Sequence, residues 1–307
     1  MAVLDRALVR LLPAVPRLVV KRLSQRYIAG PDLADACRVV QALNERGRMA
    51  TIDVLGEEVT RREDALALVD AYEDVFETIR REGLVANVSV KPTGLGLNLD
   101  RDLCLENIGA IVRWAEERDN FVRIDMEDSS TTSDTLAIYR DLRGQGLDSV
   151  GVVLQARLHR TIGDVNDLAD LRPSVRVCKG IYLESPEIAY QDPDTIRESF
   201  VDIVEALLDI GAYVAIATHD EWVVEQVKRL IAERRLQPEQ YEFQMLLGVR
   251  EGLGDALVSQ GHRLRIYVPF GRRWYEYSLR RLQENPSIAT YVARDTVGRL
   301  IPGRNGR

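Results

Sequence analysis

Met49-Ala-Thr-Ile-Asp-Val54 and Val85-Ala-Asn-Val-Ser-Val90 are two short apolar runs, and the residues between them are patterned for a helix. Ala65, Leu68, Val69, Tyr72, Val75, Phe76 and Ile79 recur at intervals of three and one, which puts them on one helical face. Strand, helix and strand in this order form one β-α-β unit. The pattern then repeats. Phe121–Met126, Val150–Gln155, Val175–Cys178, Tyr213–Ala217, Tyr241–Leu246 and Leu264–Val268 complete a set of eight strands. All are short and largely apolar, as strands buried on both faces should be. Ile196, Phe200, Ile203, Val204, Leu207 and Leu208 share a second helical face, and Gly211 stands where a C-terminal stop belongs. Further helices are expected near 100–118, 132–143, 164–171, 221–235 and 250–260, and a last one at 272–285, before Pro286. Such alternation gives a parallel α/β sheet with right-handed crossovers. Eight units point to a (β/α)8 TIM barrel spanning 49–290. A doubly wound open sheet is the alternative, because one strand more or less changes the count. Residues 1–48 read as two or three N-terminal accessory helices, and 291–307 as a flexible C-terminal tail.

The chain's 307 residues suit a single barrel, and 46% hydrophobic with 29% charged residues is ordinary globular composition. Cys37, Cys104 and Cys178 are far apart and form no CxxC pair, which speaks against a disulfide framework or structural zinc and fits a reducing cytoplasm. His159, His219 and His262 show no metal-binding spacing, so no metal is expected. The net charge of −7 is uneven: residues 1–30 and 271–307 each carry +5, leaving −17 for the middle. An acidic body argues against nucleic acid. The basic ends suit an anionic surface such as a membrane. The apolar N-terminal residues are broken by Pro13, Pro16, Arg10 and Arg17, and no stretch approaches the roughly 18 apolar residues of a membrane span.

In a (β/α)8 barrel the active site lies at the C-terminal strand ends. The polar residues there are Ser89 and Lys91; Asp125, Glu127 and Asp128; Gln155; Arg176, Lys179, Gly180 and Tyr182; Thr218, His219 and Asp220; Glu242 and Gln244; and Tyr267. Their convergence from almost every strand is more than a structural barrel needs. Singly, each has a plainer reading: Lys91 leaves a strand end for solvent, Asp125 pairs with Arg123 or a helix N-terminus, and His219 is a core or cap residue. Gly94-Leu-Gly96 lacks the third glycine of a dinucleotide fingerprint. In the last helix Tyr277, Arg281 and Glu284 share one face, with Arg280 beside it. Paired arginines braced by Glu284 would clamp a carboxylate, since guanidinium forks match carboxylate geometry. The plainer alternative is a salt-bridged outer helix. Its position directly after strand eight lets this helix cross the barrel mouth.

Tyr277-x-x-Arg280-Arg281-x-x-Glu284-Asn285 resembles the signature of the proline dehydrogenase family, including the catalytic domain of proline utilization A. The resemblance runs in order through Ser89-Val-Lys91, Ile124-Asp125-Met-Glu127, Val153-Leu-Gln155-Ala156, Arg176-Val-Cys-Lys179-Gly180-x-Tyr182, Ala217-Thr218-His219-Asp220, Glu242-Phe243-Gln244-Met245-Leu246 and Arg265-Ile-Tyr267-Val-Pro269. Several motifs in register are far more specific than one. The length is similar to that of the monofunctional bacterial type.

The resemblance implies a distorted barrel holding non-covalent FAD, which oxidises L-proline to Δ1-pyrroline-5-carboxylate and passes electrons to a membrane quinone. This is the first step of proline degradation to glutamate, with pyrroline-5-carboxylate dehydrogenase a partner. Carried over, Arg280, Arg281 and Lys91 bind the proline carboxylate; Tyr267, Tyr182 and Leu246 wall the ring; and Asp125 orients the cluster. Gln155, Arg176, Lys179, Gly180, Thr218, His219 and Gln244 line the flavin, with Glu284 bracing the arginines. Leu183 departs from the aromatic residue of larger relatives near the adenine, and Cys178 and Phe270 differ from the commoner residues. Location is then cytoplasmic, with a peripheral contact to the inner face of the membrane. Two other readings stand beside this one: a Schiff-base aldolase or lyase using Lys91 or Lys179, and a non-enzymatic binding barrel.

Overall fold

A computed structural model of the chain describes residues 27–275. The first helix among the described residues, α1 (Leu33–Asn44), leads into eight strands: β1 (Met49–Val54), β2 (Ala86–Val90), β3 (Val122–Ile124), β4 (Val150–Gln155), β5 (Ser174–Cys178), β6 (Tyr213–Ala217), β7 (Tyr241–Leu246) and β8 (Leu264–Phe270). Helices α2 (Arg62–Glu82), α3 (Arg101–Glu116), α4 (Thr132–Gly144), α5 (Thr161–Asp167), α6 (Pro193–Asp209), α7 (Glu221–Glu233) and α8 (Glu251–Ser259) fill the connections. The strands close in sequence order, β8 on β1, with every pair parallel. Followed once around from Ala50, the register returns about eight residues lower on β1, the shear of a (β/α)8 barrel.

Local chemistry sets the element ends. Asp100, Asp192 and Asp220 cap α3, α6 and α7 by accepting from the backbone N–H groups of Asp102 and Leu103, of Thr195, and of Trp222. Pro193 opens α6 at a position where no N–H is missed. Gly83 ends α2 with φ +62, a conformation that glycine adopts without strain. Several expected boundaries move by a residue or two, those of β2, β5 and β8 among them, and two changes stand out. β3 is only Val122–Ile124, because the chain turns at Asp125 to send its polar side chains to the mouth, although the Asp125 N–H still bonds Val90. The helix expected at 164–171 starts earlier, at Thr161, and gives way to a 3-10 turn over Ala169–Leu171.

The strands are not apolar on both faces. Ala50, Ile52, Val88, Val90, Val122, Ile124, Val175, Val177, Ile266 and Val268 belong to the hydrophobic core shared with the helices. The alternate positions, Thr51, Asp53, Asn87, Ser89, Arg123, Asp125, Arg176, Glu242 and Gln244, are buried polar residues. Period-two alternation therefore sends the apolar set to the helix layer and the polar set into the lumen. Lumens of this fold are ordinarily filled by branched apolar side chains. Here a charged network replaces them.

Helix α1 packs against β8 and β1 through Ala36, Cys37, Val40 and Leu43. That is the outer position the helix after β8 takes in a regular barrel. The expected tail over 291–307, residues 276–285 of the helix expected at 272–285, and residues 1–26 lie outside the described residues.

Candidate active site

The network begins at Lys91, directly after β2. Its Nζ donates to Asp53 Oδ2 at 2.8 Å and to the Tyr267 hydroxyl at 3.0 Å, with Glu57 and Asp125 carboxylates each 3.6 Å away. The solvent-facing reading of Lys91 is thus overturned: its side chain is 14% exposed and stands among three carboxylates. Burial alone would lower its pKa. Asp53, Tyr267, Glu57 and Asp125 overcome that and hold it well above the ordinary lysine range.

Asp125 is the hub. Its Oδ1 accepts from Ser89 Oγ at 2.5 Å and Arg176 Nη1 at 2.6 Å, and its Oδ2 from the Tyr267 hydroxyl at 2.9 Å. Burial pushes its pKa up, but Arg176, Lys91 and the Ser89 and Tyr267 hydrogen bonds bring it below the usual carboxylate range. Its expected partner Arg123 points elsewhere. Arg123 Nη1 passes over Gly151 to the Ser174 carbonyl at 2.6 Å, and a Cβ on Gly151 would lie 2.5 Å from it. Desolvation and the neighbouring Arg176 lower Arg123 to about 9.

Arg176 on β5 continues the chain: its Nε donates to Gln244 Oε1 at 2.5 Å, and its guanidinium lies 5.4 Å from the Tyr267 ring centre. Its Nη2 is buried with no hydrogen-bond partner among the described residues. Gln155 on β4 donates to the Glu127 carbonyl at 2.7 Å. Gly180 has φ +92 and brings its backbone so close to Gln155 that a Cβ would sit 2.6 Å from Oε1. Lys179 is paired with Asp220, which Arg197 also contacts at 2.7 Å. The Thr218 N–H bonds the Gln244 carbonyl at 3.2 Å, and His219 Nε2 accepts from the Leu246 N–H at 2.9 Å. Tyr182 lies in the loop after β5, its carbonyl accepting from Arg157 at 2.5 Å. Lys91, Asp125, Tyr267, Arg176 and Gln244 therefore form one bonded cluster, with Gln155 and Gly180 one strand away and Lys179 in a separate pair. Arg280, Arg281 and Glu284 lie outside the described residues.

Sequence reasoning assigned no role to three carboxylates. Asp53 stands in β1, a single acid in an otherwise apolar run, which was its only signal. Glu57 follows in the next loop. Glu127 accepts from the Thr93 N–H at 2.9 Å and the Thr93 hydroxyl at 2.6 Å, and so ties the loop after β2 to that after β3. Neither lysine is set up as a Schiff-base nucleophile, which needs a lowered pKa. Lys91 is shifted the other way and Lys179 is held by a carboxylate. Among the described residues no group of side chains is arranged to hold a metal ion.

A closed (β/α)8 barrel whose strand ends converge on a buried, hydrogen-bonded charge cluster is an enzyme architecture. The chain belongs to the proline dehydrogenase family, whose model matches residues 36–294. It is 36% identical over 271 residues to proline dehydrogenase 1 of Bacillus subtilis subsp. natto, spanning 88% of this chain and 89% of that protein. It is 36% identical over 276 residues to the proline dehydrogenase of Deinococcus radiodurans, spanning 89% of each. Among solved structures, proline utilization A from Bdellovibrio bacteriovorus, inactivated by N-propargylglycine, matches with a TM-score of 0.80 and 22% identity. That match covers 85% of this chain but only 32% of the larger protein, and it bears on the fold alone. Membership of the family implies a redox cofactor.

Proposed function

We propose that this protein oxidises L-proline to Δ1-pyrroline-5-carboxylate with non-covalent FAD as its redox cofactor and a quinone as final electron acceptor. The observation that carries the reading is the continuous chain Lys91–Tyr267–Asp125–Arg176, which joins a fixed cation at the mouth to a guanidinium with one uncommitted face. The flavin would supply a two-electron acceptor for the hydride of the ring carbon next to nitrogen, while the proton of the ring nitrogen would pass to solvent to complete the imine.

The residues fit such a cofactor. The buried, unpartnered Nη2 of Arg176 supplies a donor and a positive charge, which would stabilise the reduced ring. The close approach of Gly180 to Gln155 leaves a backbone wall with no side chain in the way. Gln155, Lys179, Thr218, His219 and Gln244 complete the lining. For the substrate, Lys91 with Arg280 and Arg281 holds the carboxylate, Tyr267, Tyr182 and Leu246 wall the ring, and Asp125 keeps Tyr267 and Arg176 in one orientation. Glu284 braces the arginine pair.

The basic segment 1–30 would bring the protein to an anionic membrane face where quinone is met, and a pyrroline-5-carboxylate dehydrogenase would consume the product. Among the described residues no helix is long and apolar enough to cross a membrane. Turnover with L-proline and a soluble quinone analogue tests the activity, with one imine expected per quinone reduced. Borohydride trapping of a carbonyl substrate on Lys91 or Lys179, without quinone reduction, would overturn it. Equal liposome binding by the full chain and by one lacking residues 1–30 would remove the membrane contact.

A further inference from the structure

A second line of hydrogen bonds runs down the lumen, away from the mouth. Arg265 Nε donates to Glu242 Oε1 at 2.8 Å, and the Tyr213 hydroxyl donates to Oε2 at 3.0 Å. Gln244 Nε2 donates to the same Oε1 at 2.5 Å, and Gln244 Oε1 accepts from Arg176 Nε. The Glu242 side chain is 3% exposed, and no bulk water competes for it. Residues 242 and 244 share the lumen face because strand side chains alternate with a period of two.

The direction of each bond is forced. An ionised carboxylate only accepts, and a guanidinium only donates. The amide between them can satisfy both in just one orientation, with its nitrogen toward Glu242 and its oxygen toward Arg176. Arg176 is then held by Gln244 through Nε and by Asp125, with Ser89 Oγ at 3.4 Å, through Nη1, while its remaining nitrogen, Nη2, is buried with no hydrogen-bond partner among the described residues. Asp125 alone would fix one corner of the fork and leave the plane free to turn.

We propose that Glu242 is a positioning residue for the reaction: by orienting the Gln244 amide it sets the plane of Arg176 and aims the uncommitted Nη2 at the bound redox cofactor. The inference rests on the reading that Arg176 faces that cofactor. Glu242 touches neither substrate nor cofactor, and it acts through one neighbour.

The test uses two variants that break the link in different ways. Gln244→Met cuts the link and keeps the Glu242–Arg265 pair. Glu242→Met with Arg265→Met removes the pair together, an exchange that is often neutral or stabilising for a buried ion pair. Each purified holoenzyme is read by thermal melting, by the midpoint potential of its bound cofactor and by steady-state kinetics. Both variants should lose about tenfold in preference for the reduced cofactor, a fall of about 30 mV for a two-electron couple. The value of kcat should fall while KM for proline stays within about twofold, because only stabilisation of the reacting state is lost. Combining all three substitutions should add no further shift, since both routes converge on Arg176. A Gln244→Met enzyme that melts and turns over differently but keeps its potential would overturn the proposal, as would additive shifts in the triple variant. A wild-type protein that takes up no redox cofactor would sink the underlying reading and this inference with it. A loaded wild type with unshifted variants sinks this inference alone.

Discussion

Replacing Asp53 by asparagine should change how stability depends on pH. The carboxyl of Asp53 is fully buried, its Oδ2 bonds Lys91 at 2.8 Å, and its Oδ1 has no partner among the described residues. Burial raises its pKa from 3.8 to about 6, with Asp125 and Glu57 adding to the rise and Lys91 opposing it. In the unfolded chain the group ionises near its ordinary value, so between about pH 4 and pH 6 the folded state holds a proton that the unfolded state has released. A carboxyl raised in this way contributes stability that is fully present below its unfolded pKa and is lost as pH rises through its folded pKa. A shift of about two pH units corresponds to about 3 kcal/mol. Asparagine has the same shape, keeps an oxygen for Lys91 and does not titrate. Denaturant midpoints of wild type and Asp53→Asn, measured from pH 4 to pH 7.5, should therefore diverge. The variant gains relative stability by about 3 kcal/mol across that window, with most of the change complete by pH 7. A carboxylate whose pKa is lowered but which is not coupled to Asp53, such as Glu242, opposes this trend in both proteins and cancels in the difference. A difference that stays flat from pH 4 to pH 7 would refute the reasoning. It would mean that Lys91 compensates Asp53 completely.

Three other substitutions probe the same cluster. Gly151→Ala puts a Cβ 2.5 Å from both Arg123 Nη1 and the Ser174 carbonyl, so it should cost about 1–3 kcal/mol in a melting experiment, and an unchanged melting temperature would contradict the packing. Asp125→Asn strips the hub of its charge and leaves the buried Arg176 without its carboxylate partner; unfolding at pH 7 should show a loss of about 3–5 kcal/mol. The loss should shrink as pH falls through the depressed pKa of Asp125, because a lowered carboxyl contributes stability above its unfolded pKa and loses it toward acid. Lys91→Met removes the cation proposed to bind the carboxylate and should raise KM for proline by about tenfold or more, with a smaller change in kcat; an unchanged KM would take Lys91 out of the substrate site.

The barrel could be read from the residues because its strands are compact β-branched runs between long amphipathic helices. β1, β4, β6 and β7 begin and end where the sequence places them. What the sequence concealed is what lies inside. An apolar run interrupted by Thr51 and Asp53 looks like a strand with two exceptions, and only closure of the sheet shows that the exceptions share the lumen. Lys91 before Pro92 looks like a charge released to solvent, because the three acids that enclose it come from residues 53, 57 and 125. Arg123 and Asp125 invite pairing by proximity, yet both lie on the lumen face and are drawn in different directions, one across Gly151 to Ser174 and the other to Arg176. Ion pairs formed by strand closure leave no local trace, so partners 51 residues apart cannot be found by spacing. The motif set at the strand ends pointed to the cluster through family resemblance rather than through its geometry.

The most direct measurement is the visible spectrum of the purified protein, recorded without oxygen before and after addition of L-proline. A proline-oxidising flavoenzyme should be yellow as isolated or after incubation with FAD, and L-proline should bleach it with no other electron acceptor present. A protein that stays colourless when offered FAD, or a yellow one that L-proline leaves unchanged, would contradict the account.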